Sequence, residues 1–190
     1  MKPNPPTAWN PSRLDARRFA EAGGELRGEV QVMDLIRLRE DLHAGGEGAA
    51  TGQVTWQARA ELRPAAQGGA PAAWMHLEAS AEVPLTCQRC LGPVQATLMV
   101  DRWFRFVATE AVAEAEDDDC EEDLLALEPR PSLIGLLEDE LLMALPLVPM
   151  HETCPVAVPM ASADRRDADE TEPARPNPFQ ALAQLKRPRG

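Results

Sequence analysis

Tyrosine is missing from the chain, and the other aromatic residues are scarce. The 190 residues include four Trp and four Phe but no Tyr. Hydrophobic residues nevertheless make up 44% of the sequence, so a packed core has to be built mainly from Leu, Val and Ala. A chain of this length suits one domain with tails, and a second full domain is not expected.

Positive charge is also in short supply. There are 19 Lys and Arg residues against 31 Asp and Glu, which gives a formal net charge of −12. Proteins bind nucleic acid largely through Lys and Arg that displace counterions, so tight RNA binding by the whole surface is disfavoured. An acidic protein suits basic partners better, and ribosomal proteins are the commonest basic proteins of a bacterial cell. The alternative is that the negative charge only keeps the protein soluble.

No apolar run is long enough to cross a bilayer, which takes roughly 20 residues. The longest run, Leu141 to Met150, is interrupted by two prolines. Residues 1–19 contain Pro and Arg but lack the apolar region of a secretory signal. We therefore expect a soluble, cytoplasmic protein without a membrane partner. Its four cysteines should then be reduced, and metal binding or plain burial is favoured over disulfides.

The motifs of common enzyme classes are absent too. None of the four serines lies in a G-x-S-x-G turn, and there is neither a phosphate-binding G-x-x-x-x-G-K-[ST] loop nor a G-x-G-x-x-G sequence. The triplet Glu138-Asp139-Glu140 could suggest acid–base or magnesium chemistry. Consecutive residues on a helix diverge, however, so this triplet is interpreted as a solvated helix face. We expect no enzyme and no catalytic residues.

Strands are predicted by alternating apolar and polar residues in four stretches, residues 25–35, 54–63, 75–85 and 94–107. In the third stretch, His76, Glu78 and Glu82 fall on the wet face. Arg102 breaks the alternation of the fourth and predicts a bulge or an edge. Because short turns join these strands, they predict an antiparallel sheet of about four or more strands that could curl toward a barrel.

A helix is predicted over about 133–145, with Ser132 as its N-cap. Leu133, Leu137 and Leu141 fall on one face, which should pack on the sheet. Three large apolar residues on the acidic side are more than a surface helix needs, so either a second layer or a partner covers them. These three are Leu136, Leu142 and Met143.

The predicted fold class is therefore α+β, a sheet with a packed C-terminal helix and flexible tails. Residues 1–24 form an N-terminal arm, with a short helix from Leu14 to Ala22, and residues 25–154 form one β-rich domain. Nine of the fourteen residues from 110 to 123 are acidic, which is typical of a mobile loop or of a docking site for a basic partner. Residues 155–175 are an acidic flexible linker, and residues 176–190 form a basic amphipathic tail.

The strongest chemical signal is a pair of short motifs. Cys87 and Cys90 form a C-x-x-C turn that can place two sulfurs on one metal ion, and Gly92 suits a tight knuckle. His151 and Cys154 repeat that spacing as H-x-x-C. The hypothesis is one structural zinc held by all four residues. The alternatives are unmetallated reduced cysteines and, less favoured in this hairpin-like context, a redox C-x-x-C.

Three separated blocks of sequence resemble the YceD family. The first is L-T-C-Q-R-C at residues 85–90. The second runs from L-E-D-E-L at 137–141 through A-L-P-L-V-P-M-H at 144–151 to Cys154. The third is R-P-N-P-F at 175–179, continuing to Leu182, Leu185 and Lys186. Arg175 stands where the family usually has Lys, which keeps the charge.

The resemblance implies a role in the synthesis, processing or stability of large-subunit (23S) ribosomal RNA. It carries no assigned catalytic residue, and it leaves the metal question open because the family's cysteines vary in number. We expect a non-enzymatic ribosome-biogenesis factor whose partner is a large-subunit ribosomal protein or an RNA-processing factor. The residues expected to contact that partner are Arg89, Glu138, Asp139, Glu140, Pro176, Asn177, Pro178, Phe179 and Lys186.

The alternative is a direct rRNA-binding module with a zinc-knuckle-like hairpin. It would use arginines near the hairpin together with the basic tail. These residues are Arg89, Arg102, Arg105, Lys186, Arg187 and Arg189.

Overall fold

Five strands form a single sheet whose spatial order follows the chain. The strands are β1 (Glu25–Gln31), β2 (Gln53–Arg63), β3 (Ala72–Thr86), β4 (Pro93–Val107) and β5 (Asp123–Ala126). Neighbours among the first four are antiparallel, whereas β5 pairs in parallel with β4. The predicted α+β class is confirmed, and strands β1 to β4 lie where the alternation predicted them.

The structure, a computed structural model, describes residues 9–44, 52–64, 69–117, 120 and 122–156. The chain divides into two units, residues 1–158 and 159–190. The second unit lies outside the described residues, and so do the predicted tail and nearly all of the predicted linker. In the part that is described, no helix is long and apolar enough to cross a membrane.

The sheet is open, so the predicted curl toward a barrel is wrong. Its edges are β1 and β5, and no strand pairing joins them in the described part of the chain. The acidic stretch before β5 is also more ordered than predicted, because it forms a helix, α2 (Glu110–Glu116), that buries Ala113. Parallel neighbours need a crossover connection rather than a tight turn, and the stretch that contains α2 provides it.

Arg102 causes neither a bulge nor an edge. The pairing of β3 with β4 is continuous from Ala73–Phe106 to Thr86–Pro93, and Arg102 lies opposite Leu77 within it. Its guanidinium forms an ion pair with Asp123 on β5. The charge at this core-facing position is therefore matched by the neighbouring strand, and the register is kept.

The N-terminal residues contribute to the core through α1 (Ala16–Glu21), which confirms the predicted short helix. Asp15 caps this helix by accepting a hydrogen bond from the Arg18 backbone N–H at 3.1 Å. Leu14 and Phe19 are fully buried. Gly24 lies against the Phe19 ring, where a Cβ atom would come within 2.0 Å of it. The chain therefore needs glycine where it turns from α1 into β1.

The third helix, α3 (Leu133–Met143), confirms the predicted cap and packing face. The Ser132 hydroxyl accepts from the Gly135 backbone N–H at 3.0 Å. Leu133, Leu137 and Leu141 are buried in the core. Of the three apolar residues on its other side, Leu136 and Leu142 pack partly against the core and Met143 is 68% exposed.

The core, with α1 and α3, lies on one face of the sheet, and we call the opposite face the outer face. It carries the alternate residues of β1 to β4, such as Arg59, Trp74 and Trp103, which are at least partly exposed. His76 was predicted to be solvated on this face and is instead only 4% exposed. The Trp103 ring stacks on the imidazole with centroids 4.5 Å apart and shields it.

Candidate metal centre

The turn between β3 and β4 brings Cys87 and Cys90 together. The Cys87 N–H donates to the Gly92 carbonyl, and the Leu91 N–H donates to the Cys87 carbonyl, both at 2.9 Å. The left-handed residue of the turn is Leu91, with φ of 60°, and not the glycine singled out from the sequence. A Cβ on Gly92 would meet the Cys90 sulfur at an ordinary 3.6 Å. We call this turn, residues 87–93, the knuckle, and its tightness depends on Leu91.

The segment after α3 lies beside this turn. The Gln88 backbone N–H donates to the Pro149 carbonyl at 2.9 Å. The Arg89 guanidinium donates to the His151 carbonyl at 3.1 Å. These two bonds hold the H-x-x-C motif against the C-x-x-C turn.

Cys87, Cys90, His151 and Cys154 form one group, which we call the Cys–His cluster. Their potential ligand atoms all lie within 4.8 Å of one another. The Cys87 and Cys154 sulfurs are 3.9 Å apart, and the Cys90 sulfur is 3.5 Å from His151 Nδ1. Tetrahedral zinc with ordinary bond lengths requires separations of about 3.8 Å between sulfurs and about 3.6 Å between sulfur and nitrogen. The donor set and its spacing fit a zinc ion.

The orientation of His151 suits metal binding. Its Nε2 lies 2.9 Å from the Pro93 carbonyl oxygen, and a carbonyl only accepts hydrogen bonds. Nε2 must therefore carry a proton, and in the neutral imidazole this leaves the Nδ1 lone pair facing Cys90. A backbone carbonyl that fixes the tautomer in this way is the usual second partner of a metal-ligating histidine.

Two thiols of the cluster, those of Cys87 and Cys154, differ in acidity. Burial opposes ionisation of Cys87, but the backbone N–H groups of Cys90, His151 and Arg89 lower its pKa to about 5. Burial, the hydrogen bonds with the other two sulfurs and the charge of Cys87 raise the pKa of Cys154 to about 11. One negative charge is thus favoured in the cluster, and a second needs a cation to offset the repulsion.

Comparison with known proteins gives the family. Residues 75–186 match the family described as large ribosomal RNA subunit accumulation protein YceD, which is more than half of the chain and includes the whole Cys–His cluster. The chain belongs to the YceD family. A curated relative, the large ribosomal RNA subunit accumulation protein YceD of Haemophilus influenzae, is 38% identical over 109 residues. That alignment covers 55% of this chain and 60% of the relative. No solved structure matches.

The acidic triplet of this YceD-family protein is not a solvated helix face, because two of its members are buried. Glu138 accepts hydrogen bonds from the Arg37 backbone N–H at 2.7 Å and from the Arg37 guanidinium at 3.0 and 3.2 Å. The Leu38 N–H adds a bond of 3.3 Å. Burial works against the charge of Glu138, but these donors outweigh it and lower the pKa of the carboxyl below its usual value.

Glu140 is only 6% exposed and has weaker support. Burial raises the pKa of its carboxyl, and the Arg102 guanidinium at 3.9 Å only partly offsets this effect. Asp139 is half-exposed and pairs with Arg37. Glu138 and Asp139 thus share the Arg37 guanidinium, whereas Glu140 faces Arg102. The predicted divergence therefore separates Glu140 alone, and all three carboxylates serve contacts within the chain.

Of the other residues expected to bind a partner, Arg89 lies within the described part of the chain and the tail residues do not. Arg89 lies on the knuckle, where it is exposed apart from its bond to the His151 carbonyl. The tail residues Pro176, Asn177, Pro178, Phe179 and Lys186 lie outside the described residues. Arg37 was missed from the sequence, because nothing in its surroundings signals a partner 101 positions away.

Proposed function

We propose that the protein is a non-enzymatic, cytoplasmic factor that supports the accumulation of large-subunit (23S) ribosomal RNA. Family membership carries this proposal, together with the name of the relative from Haemophilus influenzae. Contact with a basic ribosomal or RNA-processing protein is the proposed mode of action. The excess of negative charge, −12 in all, supports a basic partner.

We also propose that the Cys–His cluster binds one zinc ion with a structural role. Four protein ligands complete a tetrahedral sphere and leave no open position for a substrate or a reacting water. Such an ion would join the β3–β4 turn to the segment after α3. The fit of the distances and the fixed tautomer of His151 support this assignment.

Exposed apolar side chains on the two segments that form the Cys–His cluster support a protein contact there. Leu91 is 69% exposed, Val148 56% and Met150 50%. Backbone hydrogen bonds hold their segments side by side, and apolar residues grouped in this way commonly mark interaction sites. The knuckle with Arg89 is accordingly the proposed contact surface.

Direct RNA binding remains the second candidate, but the hairpin arginines offer it little. Arg102 pairs with Asp123, Arg105 donates to Glu116 at 3.0 Å, and Arg89 bonds to a backbone carbonyl. Each guanidinium thus has a partner within the chain.

The test is deletion of the gene in the bacterium that encodes this chain, followed by measurement of 23S relative to 16S rRNA. We expect a lower ratio, restored by the wild-type gene. Leu91→Asn should restore it less well, because Asn keeps the left-handed turn but removes the apolar contact. Ile36→Asn is the control, because Ile36 is also an exposed apolar residue, at 59%, and lies far from the knuckle in sequence. An unchanged ratio after deletion would contradict the proposal.

A further inference from the structure

The outer face carries a shallow groove of about 730 Å³ that crosses β1 to β4. Its floor is the backbone of one paired row, from Gly28 on β1 to Val100 on β4. The side chains of the two adjacent rows form its walls. Four strands about 4.8 Å apart make the groove about 14 Å long, which accommodates about four residues of extended peptide.

Carboxylates dominate the charged groups of the groove. Glu29 lies on one wall, and Glu78 and Asp101 lie on the other. Among its described lining residues the only cation is Arg27, whose guanidinium is already paired with Glu25 at 2.7 Å. The groove therefore attracts cationic groups and repels phosphate.

A buried histidine beside the groove has one ring nitrogen without a hydrogen-bond partner in the described part of the chain. His76 Nε2 lies 2.6 Å from Asp101 and donates to that carboxylate. Nδ1 is buried, lies 3.6 Å from the Glu78 carboxylate, and is an acceptor when the imidazole is neutral. A cationic N–H group bound to Glu78 would then bring a donor to it. A metal shared by all three residues fits less well, because the two ring nitrogens face different carboxylates.

The remaining surroundings favour a long basic side chain over a nucleobase. Met99 lines the groove and is 74% exposed, so its side chain can pack against the aliphatic stem of Lys or Arg. The aromatic rings nearby are already covered by the protein's own cation. The Arg63 guanidinium lies 3.9 Å from the Trp103 ring centroid and 4.5 Å from that of Trp74.

We propose that this groove binds an extended, Arg- and Lys-rich segment of a partner protein. The inference rests on the proposed function in one respect, because that function supplies basic ribosomal proteins as partners. The groove is distinct from the knuckle, so the two surfaces would contact different parts of a partner or different partners.

The experiment measures binding of the full-length protein to a fluorescent decapeptide of alternating Arg and Ala, by anisotropy at low salt. One variant combines Glu29→Gln, Glu78→Gln and Asp101→Asn. We expect it to bind the peptide at least about ten-fold more weakly, since three charge contacts are lost. A matched control removes the same number of charges elsewhere, at exposed positions whose carboxylates form no ion pair with another described residue. The control substitutions are Glu40→Gln, Glu110→Gln and Glu114→Gln.

A second variant, Ser80→Tyr, fills the groove without changing its charge and should also weaken binding. Circular dichroism checks that every variant is folded. Equal losses in the two charge variants would overturn the proposal, because net charge alone would then explain binding. It would also be overturned by no binding at all, or by an oligouridylate that displaces the peptide from the wild-type protein. Peptide binding is measured apart from rRNA levels, so either proposal can fail without the other.

Discussion

The Arg37–Glu138 junction and the Cys–His cluster both join segments that are far apart in sequence. At the junction, one carboxylate receives its donors from the chain itself, and its charge is stabilised in the folded state. In the cluster, three sulfurs face one another, and burial, hydrogen bonds and the charges of the other two sulfurs raise the pKa of Cys154. The junction is thus complete within the protein, whereas the cluster would be strengthened by the proposed zinc ion.

The largest effect is expected when the cluster loses its most buried ligand. Cys87→Ser should abolish stoichiometric zinc binding and lower the free energy of unfolding by several kcal/mol. Metal analysis after dialysis and thermal unfolding with and without a chelator would measure both. Cys120→Ser is the control, because Cys120 lies outside the cluster. Wild-type protein that takes up no zinc on reconstitution and unfolds identically in chelator would remove the metal from the comparison.

A smaller effect is expected at the junction. Glu138→Gln keeps the size of the side chain but removes the charge that Arg37 and Leu38 stabilise. The free energy of unfolding should fall by about 1–3 kcal/mol, with zinc content unchanged. Asp139→Asn is the matched control and should cost less, because Asp139 is half-exposed. Equal losses from the two variants, measured by urea denaturation, would contradict a special role for Glu138.

The smallest effect, and one of opposite sign, is expected at Glu140. A raised folded pKa means that this carboxyl favours folding when protonated and opposes it as the pH rises through that pKa. Glu140→Gln should therefore leave the protein at least as stable as the wild type at pH 7. The stabilising charge of Glu138, with its lowered pKa, is instead lost as the pH falls.

The difference in stability between Glu140→Gln and Glu138→Gln should consequently shrink on acidification toward about pH 4, where carboxyls in the unfolded chain become protonated. Denaturation of both variants at the two pH values measures it. If Glu140→Gln is as destabilising as Glu138→Gln at pH 7, the ion pair with Arg102 is stronger than its 3.9 Å separation indicates.

Local patterns predicted most of the fold. The alternation of β1 to β4, the Ser132 cap and the apolar face of α3 each depend on residues close in sequence, so the sequence displays them directly. The cysteine and histidine spacings predicted the cluster for the same reason, because each half is a complete motif. What joined the halves was the chemistry of zinc, which requires four ligands.

Errors arose where distant residues decide the environment. His76 was predicted to be solvated because its strand alternates, but the side chain opposite on β4, Trp103, covers it. Glu138 was assigned to a wet face because nothing nearby in sequence reveals Arg37. The acidic stretch before β5 was interpreted from its charge, although Ala113 and the parallel pairing of β5 give it structure.

The separation of the two halves of the Cys–His cluster has a consequence for the order of events during synthesis. The turn that holds Cys87 and Cys90 can form as soon as β3 and β4 have left the ribosome, since a chain folds from its N-terminal part as it emerges. His151 and Cys154 follow 61 and 67 positions behind the cysteines they face. Capture of the proposed zinc ion by all four residues would therefore be a late step, made when the sheet is already in place.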